Sequence, residues 1–432
     1  MTNAMNWNQL GSCVLPADLS VSQVMLSKGG TTLKKLLLAT AVLMTLSVGA
    51  RAQSGNNAVK IGVLNDTSSS FSALGGTEVV RAVEMAIKDF GGRVLGKPIE
   101  LVSADHQNKP DVGLAIAREW MEKDNVDVIV DMANSAISLG VNKLIGDNKK
   151  VGLFVSPLTD RPTEQDCNGF VVAWAYDAYS TVGTSVTALL EAGAKTFYII
   201  SPDYEAGKVQ ESWVEQAIEK GNGKVIGKIR APLGTTDFSS YILQAQASKA
   251  QAIQLNLNGP ELVNALKQIQ EFGLIEQGQR VAVTFLHQSD ARAIGAKSLQ
   301  GIRFAAPWFW NQDAASRKFG LAMMNITGNA PGWVAAGNYS AVTNYLKAVE
   351  KAGTDNSVAV LKVMRESKMD DFFVRNGTLY GNGRLVHDMH LLRVKAPNLV
   401  KEKDDFFELV ATVPATKAFR PIKESVCKLV NP

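Results

Sequence analysis

The chain contains few of the side chains that most often carry catalysis or bind metals. Its 432 residues include only three cysteines and four histidines. His106, His287 and His387 fall in unlike predicted elements, so the sequence does not predict a metal site. No phosphate loop, nucleophile elbow, dinucleotide-binding glycine motif or C-x-x-C pair is present. We therefore expect neither an enzyme nor a cofactor, and a hydrolase built from dispersed residues is the alternative that remains open.

The sequence also lacks a segment with the ~20 consecutive apolar residues that a membrane-spanning helix needs. A shorter apolar run at 36–48 follows Lys34-Lys35 and precedes Ala50-Arg51-Ala52. A basic segment, a short apolar run and a small-x-small sequence are typical of a secretory signal peptide, and a permanent anchor helix is the alternative. No cysteine follows directly, so a lipoprotein anchor is not predicted. We assign residues 1–52 to the signal peptide and expect a periplasmic protein.

The mature chain is nearly neutral and large enough for two lobes. Cleavage after Ala52 would remove four basic residues but only one acid, Asp18. The net charge of +4 therefore does not indicate a nucleic acid or an anionic membrane as a partner. Roughly 380 residues remain, more than one hydrophobic core normally supports. Residues before Met25 resemble neither a signal nor a domain. We expect translation to start at Met25, because the basic segment would then lie near the N-terminus, where signal peptides usually have it.

Two cysteines remain after cleavage. Cys13 falls in the segment that is removed, which leaves Cys167 and Cys427. In an oxidising compartment a pair of cysteines predicts one disulfide, and two buried free thiols are the alternative.

From residue 59 onward short apolar strands alternate with amphipathic helices. A strand at 59–64 precedes a helix at 75–90, and a strand at 126–130 precedes a helix at 135–145. After a polar loop at 159–168 the alternation restarts and continues to residue 305. Repeated strand–helix units are typical of a parallel sheet with helices on both faces. We therefore predict an α/β protein with two doubly wound parallel-sheet lobes.

The last third of the chain is predicted to return to both lobes. Residues 308–353 predict two helices without a strand between them, and such a segment needs an existing sheet to pack against. We expect lobe one to comprise 53–168 and about 312–370. Lobe two would comprise 169–306 and about 371–432, including the return of the hinge.

Several segments, in this order, resemble the leucine-binding branch of the periplasmic binding proteins. They are Val59-Lys60-Ile61-Gly62-Val63-Leu64, Asp105 with Pro110, Glu271-Phe272-Gly273-Leu274 and Tyr339-Ser340-Ala341-Val342. The resemblance implies a type I fold with a three-segment hinge. It also implies that the protein captures a branched-chain amino acid or a related compound for an ABC transporter. We expect a monomer that partners a membrane permease and binds no nucleic acid.

A finer resemblance concerns the ligand. Cys167, the segment Ala173-Trp174-Ala175-Tyr176-Asp177 and Asp290 are similar to residues in binders of aromatic carboxylates. The alternative function is that of a ligand-sensing regulator with the same fold, which binds a small amide or amino acid in the cytoplasm. The predicted signal peptide argues against that alternative.

In open α/β sheets, ligands bind beyond the carboxyl ends of the strands, where helix N-termini present free N–H groups. Three loops of lobe one lie at such positions, and the resemblance implies that the second and third hold a ligand carboxylate. Helix capping is the alternative role for their Ser, Thr and Asn side chains. The candidates in lobe one are Ser69, Phe71, Asn134, Ser135, Ala136, Ser156 and Thr159.

Lobe two offers aromatic and amide side chains but no obvious acid. Amino-acid binders of this family pair the ligand ammonium with an acid, because a cation that leaves water needs a compensating charge. The expected turn reads Asn256-Leu257-Asn258-Gly259-Pro260, which favours a simple carboxylate over a zwitterion. Glu261 and Asp290 are possible substitutes. The candidates in lobe two are Tyr204, Asn258, His287 and Trp308. Packing at the hinge is the alternative role of Trp308.

Overall fold

The structure is a computed structural model that describes residues 57–191, 193–275 and 277–430. The predicted signal peptide and the predicted start at Met25 lie outside the described residues. Within these residues, no helix is both long enough and apolar enough to cross a membrane.

The first lobe is built on a six-stranded sheet whose central strands are largely buried. Its strands are β1 (Val59–Asn65), β2 (Arg93–Val94), β3 (Lys97–Asp105), β4 (Val128–Asp131), β5 (Val151–Phe154) and β6 (Val171–Ala173). Its helices are α1 (Gly76–Asp89), α2 (Pro110–Glu122) and α3 (Ser135–Asn148). The order is β2-β3-β1-β4-β5-β6, and all pairs except β2–β3 are parallel. The sheet therefore continues past residue 168 through β6.

The second lobe repeats the arrangement with four parallel strands. Its strands are β7 (Thr196–Pro202), β8 (Lys224–Ala231), β9 (Ala252–Leu255) and β10 (Arg280–Val283). Its helices are α4 (Ala178–Glu191), α5 (Glu205–Lys220), α6 (Ser239–Ala247) and α7 (Gly259–Glu271). The order β10-β9-β7-β8 places β7 and β9 at the centre, as expected for a doubly wound sheet. The prediction of two parallel-sheet lobes is confirmed.

The remainder of the chain contains further helices, including those that return to lobe one, and a small antiparallel sheet. The helices are α8 (Gln288–Ile294), α9 (Ala296–Leu299), α10 (Ala314–Thr327), α11 (Trp333–Ala352), α12 (Ser357–Glu366) and α13 (Ala415–Ala418). The strands are β11 (Arg303–Ala306), β12 (Thr378–Leu379), β13 (Leu385–Val386), β14 (Met389–Val394) and β15 (Phe407–Val413). β11, β14 and β15 form the antiparallel sheet, and β12 and β13 form a hairpin.

Helix α11 packs against α1 of the first lobe, as the absence of a strand in 308–353 predicts. The Tyr339 hydroxyl donates a hydrogen bond of 2.9 Å to Asp89 at the end of α1. The chain thus passes between the lobes three times: between β6 and α4, between β11 and α10, and between α12 and β14. Three crossings create a hinge of three segments, which places the cleft between the two sheets.

The predicted disulfide is present. Cys167 and Cys427 are bonded, with their Cα atoms 5.9 Å apart across 260 residues of sequence. Beside the bridge, the Glu164 carboxylate accepts hydrogen bonds from the Ser425 hydroxyl at 3.0 Å and from the Val426 amide at 2.9 Å. The C-terminal segment is therefore fastened to the loop that follows β5.

A candidate ligand cleft between the lobes

A small cavity lies where loops at the carboxyl ends of strands in both sheets face each other. Its free space is about 30 Å³, enough for one or two water molecules. A ring-sized ligand therefore fits only if the lobes or the lining side chains move apart. The lining residues are Phe71, Leu74, Ala133, Ser135, Ser156, Leu158, Tyr176, Tyr204, Asn258, Phe285, His287, Trp333 and Val334.

The loop after β1 is organised by the buried carboxylate of Asp66. This carboxylate accepts hydrogen bonds from the Ser69 amide at 2.8 Å, the Ser69 hydroxyl at 2.6 Å and the Phe71 amide at 2.8 Å. The Ser69 hydroxyl is thus engaged within the loop, and Ser69 is not among the residues that line the cavity. The Phe71 side chain lines the cavity, and the hydrogen bond from the Phe71 amide to Asp66 holds this residue in place.

The loop after β4 combines a helix cap with one cavity residue. The Asn134 side chain accepts the amides of Ala136 at 2.8 Å and Ile137 at 3.1 Å, so it caps α3. The Ala136 amide is engaged in that cap and its side chain is exposed. Ser135, between them, lines the cavity at the helix N-terminus, where the helix dipole favours an anion.

The loop after β5 rests on a buried acid of the neighbouring strand. The Ser156 hydroxyl donates to the carboxylate of Asp131, which also accepts a bond of 3.2 Å from the Asn338 amide. Burial raises the pKa of Asp131 to about 6, against the effect of these hydrogen bonds. The Ser156 carbonyl accepts the Tyr176 hydroxyl. Ser156 and Tyr176 both line the cavity, and the acid lies behind them.

Thr159 lies near the cavity without lining it. It is buried, and its hydroxyl has no hydrogen-bond partner in the described part of the chain. Leu158, the preceding residue, contributes the side chain that lines the cavity at this point.

Of the residues expected to contact a ligand from the second lobe, Tyr204, Asn258 and His287 line the cavity wall. The Tyr204 ring lies 6.3 Å from the Phe71 ring, so these aromatic groups face each other across the cleft. Asn258 precedes α7, but its side chain makes no capping bond. Burial lowers the pKa of His287 to about 3, so its imidazole is neutral at physiological pH.

An aromatic wall lies between the lobes, and most of it was not predicted. The Trp333 ring lies 4.8 Å from His287 and 5.7 Å from Phe285, and it meets the edge of Tyr176 at 5.0 Å. Tyr176 lies in the segment 173–177 that carries the resemblance to aromatic-acid binders, and Phe285 ends a predicted strand. Trp333 begins α11, and no local pattern indicated it.

Trp308 packs outside the cleft cavity, in keeping with the alternative role of a packing residue. Its indole donates a hydrogen bond of 2.9 Å to the Ser316 hydroxyl. Its ring packs near Phe319, Phe372 and Phe373. Trp308 is buried with this cluster and is not among the residues that line the cleft cavity.

No side chain among the described residues that line the cavity carries a full charge. The two acids considered from sequence have other partners. The Glu261 carboxylate accepts the Gly234 amide, and Asp290 accepts the His287 amide at 3.0 Å. Burial raises the pKa of both carboxyls, that of Asp290 to about 7. Neither provides a counter-charge in the cavity wall.

Comparison with known proteins agrees with this architecture. Residues 58–401 match the family described as periplasmic binding protein. A periplasmic binding protein from Burkholderia mallei is 38% identical, with a TM-score of 0.84 over 87% of this chain and 100% of that chain. A branched-chain amino acid ABC transporter periplasmic ligand-binding protein from Burkholderia xenovorans is 39% identical, with a TM-score of 0.79 over 86% and 99%.

A more distant relative is the Leu/Ile/Val-binding protein homolog 6 of Brucella melitensis. It is 23% identical over 334 residues, which cover 76% of this chain and 84% of the relative. The fold is that of the type I periplasmic binding proteins, and substrate binding, not catalysis, is the role of that family. The chain belongs to the periplasmic binding protein family.

Proposed function

We propose that this protein is the extracytoplasmic substrate-binding component of an ABC transporter and captures a small, partly apolar carboxylate between its lobes. The observation that carries the proposal is a cavity with hydroxyl groups on the lobe-one side, aromatic rings between the lobes and no charged side chain in its wall. A ligand-sensing regulator of the same fold is the second candidate, and it would need the same cavity but no export.

The lobe-one side suits a carboxylate. Ser135 stands at the N-terminus of α3, where N–H groups and the helix dipole stabilise negative charge. The Thr159 hydroxyl is buried without a partner among the described residues and becomes available if the loop shifts on binding. A hydrogen bond to an ionised oxygen is stronger than one between neutral groups, so few donors are needed.

The rest of the cavity favours an apolar body without an ammonium group. Trp333, Phe285 and Tyr176 offer ring surfaces against which an aromatic or branched aliphatic group can pack. An ammonium group would lose its hydration without meeting a carboxylate in the wall. We infer that an aromatic or branched aliphatic acid binds more tightly than the corresponding α-amino acid. The amino acid named for the Burkholderia xenovorans relative is the competing ligand class.

The proposed mechanism is hinge closure. Residues of both lobes line one cavity, so only the closed form makes both sets of contacts, and ligand selects that form. We propose lobe one as 53–168 with about 312–370, extended by β6 at 171–173. Lobe two is then the rest of 169–306 with about 371–432. The closed monomer would then deliver its ligand to a membrane permease.

A thermal-shift screen followed by calorimetry tests the proposal. The screen includes benzoate, phenylpropanoate, branched aliphatic acids, leucine, phenylalanine and small amides. A ligand at a hundredfold its Kd adds about 2.7 kcal/mol of apparent stability. We expect acids to stabilise more than their α-amino counterparts. Micromolar binding of leucine or phenylalanine without any response to the acids would contradict the choice of ligand.

Alanine variants at two hydroxyl side chains of lobe one test where the ligand carboxylate binds. Ser135→Ala and Thr159→Ala should each weaken binding by about 1–3 kcal/mol, because a hydrogen bond to a charged group is lost in a dry cleft. Ser357 is the control, because it follows a capping asparagine at the start of α12 just as Ser135 does at α3. Ser357→Ala should leave the affinity unchanged. Equal loss in the control would indicate a general effect on folding.

A further inference from the structure

Three polar atoms on cavity residues have no hydrogen-bond partner in the described part of the chain. They are the side-chain oxygen Oδ1 of Asn258, the Nδ1 of His287 and the indole Nε1 of Trp333. All three atoms are buried, and buried polar groups in native proteins are nearly always paired. Leaving such atoms unpaired is costly, so a group in the cleft that pairs with them would bind selectively.

Asn258 is free for this role because it does not cap its helix. At the starts of α3 and α12, Asn134 and Asn356 each accept two backbone N–H groups through Oδ1. Asn258 stands at the same position before α7 and accepts none. Pro260 follows in the first turn and has no N–H to donate, which removes one of the usual capping partners. The Asn258 oxygen is therefore available to a group in the cleft.

His287 and Trp333 form one surface in the same cavity. Their rings lie 4.8 Å apart and tilted by 31°, and both line the cavity. The buried imidazole is neutral at physiological pH, so it offers hydrogen bonds without a charge. Together with the indole N–H and the Asn258 oxygen, the wall contains both a donor and an acceptor but no ion.

Two acids close to the cavity leave its wall without a charged side chain. The Asp131 carboxylate is bonded to Ser156 and Asn338, and the Asp290 carboxylate is bonded to the His287 amide. Both lie behind the wall and neither lines the cavity. An ammonium group at this wall would contact no carboxylate among the lining residues, whereas a hydroxyl group could donate to one atom and accept from another.

We propose that Asn258, His287 and Trp333 together recognise a neutral hydroxyl group of the ligand, which makes the preferred substrate a hydroxylated carboxylic acid. This inference rests on the proposed function and narrows its substrate class. The hydroxyl donates to Asn258 Oδ1 and accepts from the Trp333 indole or from the neutral imidazole. The plain acid of the same shape would leave those atoms unpaired.

Pairs of probes that differ by one hydroxyl group test the inference by calorimetry. Benzoate is compared with 2-, 3- and 4-hydroxybenzoate, and 3-methylbutanoate with 3-hydroxy-3-methylbutanoate. In the wild-type protein we expect at least one hydroxylated member to bind tenfold or more tightly than its plain partner. In Asn258→Leu the ratio of the two affinities should fall below threefold, because the oxygen that accepts the ligand hydroxyl is gone. Trp333→Phe should reduce the preference in part.

Asn356→Leu is the matched control, since it removes an asparagine at the same helix position that does cap its helix. This variant should melt at a lower temperature and keep the full hydroxyl preference. The inference is wrong if the wild type shows no preference in any pair, if Asn258→Leu keeps it, or if leucine binds more tightly than all the acids. Failure of every acid to bind would instead overturn the proposed function itself.

Discussion

The Asp160 carboxylate accepts a hydrogen bond of 2.7 Å from the indole Nε1 of Trp213, and this bond joins the two lobes. Asp160 follows β5 of the first sheet, and Trp213 lies in α5 of the second lobe. The other oxygen of Asp160 accepts the amide of Ala178, the first residue of α4, at 3.1 Å. A single half-buried acid thus makes hydrogen bonds to both elements at the first crossing between the lobes.

Asp160 should make stability depend on pH in a specific direction. Burial raises the pKa of its carboxyl to about 7, with the nearby Asp177 carboxylate as a further cause. In the unfolded chain an aspartate has a pKa near 4. Between about pH 4 and 7 the native protein therefore binds a proton that the unfolded chain has lost, and the contribution of this group to stability falls as pH rises.

Asp160→Asn removes this titration. Relative to wild type, the free energy of unfolding of the variant should increase from pH 4 to pH 7.5 by more than about 1.4 kcal/mol, the equivalent of one pKa unit. Urea unfolding at several pH values measures the difference. Asp166→Asn, which changes a partly exposed acid paired with Arg161, serves as the control. A difference between wild type and Asp160→Asn that stays constant with pH would contradict the prediction.

Gly259 should be needed for closure of the lobes. Its φ is +52°, and a Cβ atom there would lie 3.5 Å from Leu74 Cδ2 and 3.8 Å from the Ser70 carbonyl oxygen, both in the first lobe. A longer side chain at this position would hold the lobes apart. Gly259→Leu should therefore weaken ligand binding at least tenfold, as measured by calorimetry with any acid that the screen identifies.

Gly278→Leu provides the control for backbone strain. Gly278 also has a positive φ, +95°, but a Cβ atom at this position would meet no other atom within 4 Å. The left-handed conformation costs a non-glycine residue roughly 1–2 kcal/mol at either site. Both variants should lose stability, and only Gly259→Leu should lose affinity. Similar affinity losses in the two would point to strain instead of closure.

The Cys167–Cys427 bridge should contribute substantially to stability. Replacing both cysteines with serine should lower the free energy of unfolding by about 2–5 kcal/mol, because the bridge restricts the unfolded chain. Urea unfolding with and without reductant measures this loss. Reductant should destabilise the wild type to the level of the variant and leave the variant unchanged. Two titratable thiols in unreduced, denatured periplasmic protein would show that the bridge does not form in the cell.

The mature protein should begin at or near Gln53. Removal of the apolar run 36–48 is the expected consequence of export, and intact-mass analysis of periplasmic material measures it. Periplasmic protein that retains this run would count against cleavage. An uncleaved protein found in the cytoplasm would favour the regulator.

The sequence alone determined the alternation of elements, because strand and helix periodicity are local properties of neighbouring residues. The strand predicted at 59–64 is Val59–Asn65, and the helix predicted at 135–145 is Ser135–Asn148. The same local logic identified the loops at the carboxyl ends of the strands. It therefore placed Phe71, Ser135 and Ser156 near one another before any contact was known.

Only the tertiary structure decided which role each of two similar residues has. Asn134 and Asn258 both precede a helix, yet one caps it and the other lines the cleft. Trp308 and Trp333 are both buried, but only Trp333 reaches the cavity, because the packing of α11 against the first lobe places it there. Such choices depend on contacts between residues far apart in the chain, which periodicity and capping patterns do not contain.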